Sequence, residues 1–209
     1  KLLRLPTFTK TFLSRTQVSR EKAEQMLEYV KSIIDIDSIP LDDEATYKLL
    51  QQADTDGIFL LYSESTKYDL LQIKPKNFTE LIVTMALRSS YDNHFIYTYL
   101  KNQQIQPDYF STFEKHDKIV EILKETNGLI IWREQEDEII DYLYNLTEVE
   151  GNHNGSDVFG LSHLLDFTSM VNTTLLSRKA HSDLALLCYK LAYFKAHFRN
   201  EFNQSIEQE

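Results

Sequence analysis

Few side chains in this 209-residue sequence fall into a pattern that performs chemistry. Glu134, Glu138 and Asp141 stand at i, i+4 and i+7, so a helix would carry three carboxylates on one face, the oxygen ligands a hard cation takes. Charge runs on helices usually face water, and a solvated face is the expectation here. His94, His116, His153, His163, His181 and His197 form no H-x-x-x-H or H-E-x-x-H pair, so no metal site is expected from them. Cys188 has no nucleophile signature around it and falls beside an apolar helical face, which predicts a buried thiol. Ser63 lacks the G-x-S-x-G frame of an activated serine, and none of the five glycines builds a phosphate-cradling loop.

The elements that would position these residues are mostly helices. Ser19 is placed to cap a helix over residues 19–35, with Glu21 in its first turn and Ala23, Met26, Leu27, Val30, Ile33 and Ile34 at helical spacing. Ile39-Pro40 breaks the pattern, and Asp42 or Asp43 can cap a second helix carrying Ala45, Leu49 and Leu50. Gly57 to Leu61 reads as a strand or a buried turn, and Lys67 to Leu71 as a short helix that Pro75 ends. Asn77 with Glu80 gives a cap and its reciprocal partner before Phe78, Leu81, Ile82, Met85 and Leu87. Helical patterns resume at His94 to Leu100 and at Phe113 to Lys124, the latter stopped by Asn127-Gly128. Leu129 to Trp132 looks like a strand, and Glu134 to Leu146 like a helix with Ile139, Ile140, Leu143 and Leu146 inward. Gly151, Asn152, Asn154, Gly155 and Ser156 make residues 147–160 loop-like, within a shortened or loop-rich region over 147–176. One long terminal helix, residues 182–204, aligns Leu184, Leu187, Leu191, Phe194, Phe198 and Phe202.

Composition narrows the function classes. Twelve Tyr and twelve Phe against five Gly and four Pro disfavour both a turn-dense β fold and disorder, and predict one mainly α domain over residues 1–209 with a few short strands. A single cysteine excludes an intrachain disulfide framework, and no stretch reaches the roughly 20 apolar residues of a membrane span. A cytoplasmic protein without membrane contact is expected. The Asn-x-Ser/Thr triplets at Asn77, Asn145, Asn154, Asn172 and Asn203 are then chance. A formal net charge of −10 opposes nucleic-acid binding by the chain as a whole, since phosphate neutralisation supplies most of that affinity.

Three segments resemble, in the same order, the fingers region of the bacterial DNA polymerase III α subunit, the C-family replicative polymerases. Ile39-Pro40-Leu41-Asp42-Asp43, Leu49-Leu50-Gln51 and Asp54-Thr55-Asp56-Gly57-Ile58-Phe59 are similar to I-P-L-D-D, L-L-Q and D-T-x-G-V-F, and the likeness continues through Ser63, Lys67, Leu70-Leu71, Lys74-Pro75, Phe78 and Leu81-Ile82. Leu123 to Gln135 is similar to L-x-E-T-Y-G-V-I-V-Y-Q-E-Q. Ala192-Tyr193-Phe194-Lys195-Ala196-His197 with Glu201-Phe202 is similar to A-W-L-K-A-H and E-F. The resemblance implies a helical fold with short strands and a setting in DNA replication or a mobile-element process.

The departures matter as much. The family's two palm aspartates precede the fingers and have no counterpart here. The third lies in K-x-D-x-L-G-L, whose best match, Lys1 to Pro6, puts Leu3 at the carboxylate. An apolar side chain cannot hold the magnesium ions that the complete family uses. R-P-G-P becomes Arg88-Ser89-Ser90-Tyr91, and the cationic L-R-R-x-M-G-K-K has no counterpart, because residues 147–176 contain neither Lys nor Arg. N-K-S-H-S falls on Ser177 to Ser182, where Ala180 takes the histidine position and His181 follows one residue late.

These losses predict a non-catalytic chain without a cofactor of its own, acting by association with an unidentified protein. Two other readings stand beside it. The chain is a piece of a larger polymerase whose palm is supplied upstream or by another polypeptide, or it keeps a weak DNA or phosphate contact. Residues for that contact are Lys1, Lys67, Lys74, Lys76, Arg88, Arg178, Lys179 and His181, although an ordinary polar helix start is the stronger expectation for Lys179 and His181.

Overall fold

The computed structural model describes residues 18–89, 93–105, 117–150 and 175–207. They form two compact units, Lys1–Thr84 with Ser182–Glu209, and Met85–His181. Among the described residues the secondary structure is helical and no strand is present, so the mainly α expectation holds and the short strands do not.

In the first unit, α1 (Arg20–Lys31) begins where Ser19 accepts the Lys22 N–H and buries Ala23, Met26 and Val30. It stops at Ser32, earlier than the apolar pattern, and Ile33 and Ile34 lie in the following turn. Asp43 caps α2 (Glu44–Gln51), taking both the N–H and the hydroxyl of Thr46 at 2.7 Å. This helix buries Thr46, Tyr47, Leu49 and Leu50, whereas Ala45 is exposed. Gly57 to Leu61 is a turn, not a strand, that buries Gly57, Ile58 and Leu61 and leaves Leu60 exposed; it is held by short-range backbone bonds, Ile58 to the Thr55 carbonyl and Leu61 to that of Ile58. Ser63 caps α3 (Glu64–Ile73), which ends on Lys74 in the left-handed region at φ 50°.

Asn77 and Glu80 start α4 (Phe78–Ser89) reciprocally: Asn77 Oδ1 accepts the Glu80 N–H at 2.9 Å, and Glu80 Oε2 accepts the Lys76 N–H at 2.8 Å. Leu81 to Leu87 are all buried, the sign of a helix enclosed on every side.

The terminal segment is two helices, α8 (Arg178–His197) and α9 (Arg199–Glu207), with Phe198 between them, rather than one. It also begins earlier than residue 182. The break turns Phe202 and Ser205 inward, and the Phe194 ring meets those of Phe198 and Phe202 at 6.0 and 5.9 Å. Ala185, Cys188, Tyr189, Leu191, Ala192 and Phe194 are buried, while Leu184, Leu187 and Phe198 are only half-buried, so the inward face is rotated from the predicted one. Gly57, at φ 77°, lies under α9, where an added Cβ would meet Phe202 at 3.3 Å and run into Ile206.

In the second unit, α5 (Asn93–Ile105) buries Phe95, Ile96 and Tyr99. The predicted start at Phe113 lies outside the described residues, and α6 runs Asp117–Leu123, followed by a 3₁₀ turn, Lys124–Thr126. Asn127 (φ 51°) and Gly128 (φ 85°) then stop the helix as left-handed residues. Leu129 to Trp132 is irregular rather than a strand, for a local reason. The N–H groups of Ile131 and Trp132 donate to Gln135 Oε1 at 2.9 and 3.2 Å, which takes the place of a ladder. Gln135 Nε2 in turn reaches Thr126 Oγ1 at 2.9 Å and the Ile122 carbonyl at 3.2 Å. The helix that follows, α7 (Arg133–Glu150), runs four residues into the predicted loop; the rest of that loop, up to residue 174, lies outside the described residues. Ile139 joins Ile119, Leu123 and Ile130 in the core, but Ile140 is exposed.

Candidate functional site

The residues nominated for phosphate or DNA contact divide between the units. Lys67, Lys74 and Lys76 belong to the first, and Arg88, Arg178, Lys179 and His181 to the second. Lys1, like Leu3, lies outside the described residues.

Within the first unit Lys67 is committed internally. Its ammonium lies 2.7 Å from Asp56 and 3.0 Å from Glu64. Burial works to lower its pKa, but the two carboxylates prevail and hold it above the ordinary lysine value. Lys74 and Lys76 are exposed at the junction of α3 and α4, where their backbones serve as helix cap and capping-box donor.

The segments that carry the family likeness are clasped together. Lys195, 4% exposed, donates to Asp54 Oδ1 at 2.8 Å and to the carbonyls of Asp54 and Asp56 at 2.9 and 3.0 Å. Arg199 holds the other oxygen of Asp54 at 2.6 Å. Burial favours the neutral Asp54 carboxyl, yet Lys195 and Arg199 outweigh it and keep the acid below its ordinary range. His197 meets Asp43 Oδ2 at 3.0 Å. Asp43 also lies below its ordinary range, because the bonds from His197 and Thr46 outweigh the opposing effect of burial. Tyr189 donates to the Pro40 carbonyl at 2.8 Å and accepts the Asp43 N–H at 3.0 Å. Cys188 is fully buried, its thiol directed at the Phe59 carbonyl at 3.2 Å, and burial pushes it up to about 12. Each of these contacts ties α8 or α9 to the Pro40–Asp43 or Asp54–Phe59 segment, so the motif residues form a scaffold.

In the second unit, charged and polar groups gather at the first turn of α8. Ser177 caps it, with Oγ accepting the Ala180 N–H at 3.1 Å. The Arg178 N–H donates to both oxygens of Glu134, at 3.1 and 2.9 Å. The positive end of α8, a natural place for an anion, therefore holds a carboxylate from α7. The Arg178 guanidinium pairs with Glu125 at 2.6 Å and lies 5.3 Å from the centroid of the buried Trp132 ring.

His181 is 1% exposed. Its Nε2 lies 2.8 Å from Ser89 Oγ and its Nδ1 3.2 Å from the Ser177 carbonyl. Burial lowers its pKa from the ordinary histidine value, against the raising effects of that carbonyl and of Glu134. Ser89 is the last residue of α4, next to the half-buried Arg88. The structure thus joins the counterparts of R-P-G-P and N-K-S-H-S through one hydrogen bond. Lys179 is exposed beside it.

The acidic face expected on α7 is divided in use. Glu134 caps α8, and Glu138 lies 4.0 Å from Lys118. Among the described residues no three His, Cys, Asp or Glu side chains stand together as a metal site, so they do not fit a two-metal centre and no metal-dependent step is assigned to them. No described helix is long and apolar enough to cross a membrane. Two contacts escaped the sequence reading, that of Ser89 with His181 and that of Glu134 with the start of α8. Ser89 had a signal, its place beside Arg88 in the rewritten motif; Glu134 had none, since its partner lies 44 residues away.

The signature residues of this helical chain bind its own helix ends and turns, and comparison with known proteins specifies the family. The bacterial DNA polymerase III alpha subunit finger domain matches residues 10–153, more than half of the chain, which therefore belongs to that family. Among its relatives, the DNA polymerase III subunit alpha of Mycoplasma pneumoniae is 39% identical over 100 residues, covering 48% of this chain and 11% of that protein. The DNA polymerase III subunit alpha of Staphylococcus aureus strain Mu50 is 35% identical over 102 residues, covering 49% and 9%. The chain spans about a tenth of the length of these curated relatives.

Proposed function

We propose that this chain is a fingers-type scaffold of a polymerase III α-like system that does not by itself join nucleotides, and that it acts by association with another protein in DNA replication or a mobile-element process. The observation that carries this reading is Glu134, whose two oxygens take the Arg178 N–H at the start of α8. That turn is the counterpart of the family's phosphate-facing segment, and a carboxylate held there opposes a triphosphate by like charge. Arg178 and Lys67, two of the nominated cations, are paired with Glu125, Asp56 and Glu64. The test is primer extension at high protein concentration, with primed template, magnesium and nucleotides. No extension is expected, and template-dependent products would overturn the proposal.

A second reading is favoured by the matched share of the relatives, 9–11% of their length. On it the chain is the fingers module of a larger polymerase whose palm is supplied upstream or by another polypeptide. The adjoining coding sequence decides between them: a palm segment with paired aspartates in the same reading frame selects the module.

A further inference from the structure

Three hydrogen-bonding contacts meet at Ser89 and His181, and two protons are not enough for all of them. The Ser89 hydroxyl lies 2.8 Å from the Ala86 carbonyl and 2.8 Å from His181 Nε2, while His181 Nδ1 faces the Ser177 carbonyl at 3.2 Å. A carbonyl only accepts, so Nδ1 must carry a proton to bond Ser177. In the neutral ring Nε2 is then bare, and Ser89 must turn its single hydroxyl proton toward it and away from Ala86. In the imidazolium Nε2 donates to Ser89 Oγ, which frees the hydroxyl proton for Ala86. The alternative neutral tautomer, with the proton on Nε2, sets the Nδ1 lone pair against the Ser177 carbonyl and is repulsive.

We propose that Ser89 and His181 form a proton-operated latch between the last turn of α4 and the first turn of α8, with the Ser89 hydroxyl as its moving part. The imidazole is buried, whereas Ser89 is exposed. The charged groups around the ring come from three helices. Glu134 on α7 attracts an imidazolium. Arg88 precedes Ser89 on α4, and Arg178 and Lys179 share the first turn of α8, whose positive end disfavours a cation. Burial adds to that opposition, so the folded chain holds the proton less tightly than the unfolded chain does. The stability contributed by the neutral latch is complete above the unfolded value, about 6.5, and declines as pH falls through the folded value. Protonation keeps Nδ1–H on the Ser177 carbonyl, reverses the Ser89–His181 bond and frees the hydroxyl for Ala86, so acid weakens the latch through the buried charge without emptying it.

The experiment is a long-range proton–nitrogen NMR titration of the whole chain, labelled at histidine and assigned through the backbone, between about pH 8 and about pH 5. At the upper end His181 should be the Nδ1–H tautomer, with Nε2 as acceptor. Ser89→Ala removes the acceptor that the imidazolium uses, and should lower the His181 midpoint by about one pH unit, a tenfold loss of proton affinity. Ser89→Thr keeps the hydroxyl and should leave the midpoint within about 0.3 units of the parent. An Nε2–H tautomer in the neutral ring, or a midpoint that Ser89→Ala leaves in place, would overturn the latch. Should Ser89→Ala fail to fold, the tautomer of the parent chain decides.

Discussion

Lys195→Met is the substitution that most directly tests whether the family-matching segments are a scaffold. Methionine keeps most of the side-chain stem, so packing along α8 changes little, and the loss is confined to the ammonium. That group donates to Asp54 Oδ1 and to the backbone carbonyls of Asp54 and Asp56 at 2.8–3.0 Å from a position 4% exposed. Asp54 is about a third exposed and keeps Arg199 at 2.6 Å, so its carboxylate loses little. The two carbonyls lose their donor, at about 1–3 kcal/mol for each acceptor left unmet in the interior. A total of about 3 kcal/mol follows, which at about 2–4 °C per kcal/mol for a chain of this size lowers Tm by about 6–12 °C. Arg199→Ala is the internal control: its ion pair is more than half exposed on the arginine side and should contribute no more than about 1 kcal/mol. Thermal unfolding followed by circular dichroism, on the two variants and the parent, separates these magnitudes. If Lys195→Met melts no lower than Arg199→Ala, the ammonium is not holding the Asp54–Asp56 segment and the clasp is misread.

Gln135→Ala removes the acceptor of two backbone N–H groups and the donor to Thr126, and should cost about 2–4 kcal/mol in a urea titration; an unchanged midpoint would mean that water replaces the amide. Truncation at Ser182 removes Tyr189, Phe194 and Phe202 from the first unit and should give insoluble or unfolded protein; a soluble product with the parent's melting curve would make the terminal helices peripheral. Nucleoside triphosphates with magnesium should leave Tm unchanged, although a ligand at a hundred times its Kd would stabilise by about 2.7 kcal/mol; a reproducible rise abolished by Lys179→Ala would contradict the scaffold reading. Asp43 and Asp54 have depressed folded-state pKa values, so their stabilising contribution is present above the unfolded value of about 3.9 and is lost as pH falls through the folded values; in Asp43→Asn the drop of Tm on acidification should be smaller than in the parent.

The parts of this fold that were legible from sequence are those set by neighbouring residues. Ser19, Asp43 and the Asn77–Glu80 pair cap helices as expected, because a cap needs only an oxygen and a backbone N–H two or three residues on. Asn127-Gly128 stops α6 and its 3₁₀ turn by backbone conformation alone. What escaped was decided by distant partners. Leu129 to Trp132 has the composition of a strand, but Gln135 folds back to take its N–H groups, and a β-rich apolar run cannot announce that a nearby amide will replace a neighbouring strand. The predicted face of the terminal helix missed Tyr189, whose hydroxyl reaches a carbonyl 149 residues earlier, whereas Cys188 is buried as expected. The site shows the same division more sharply. Arg178 and His181 could be nominated from a motif, yet their chemistry is set by Glu134, Glu125 and Ser89, which lie 44, 53 and 92 residues away from the partners they meet. A cationic motif on paper is therefore half of an argument. At the start of α8 the other half is an acid that occupies the helix end and, in the proposed latch, the Ser177 carbonyl that selects the nitrogen of a buried histidine carrying the proton.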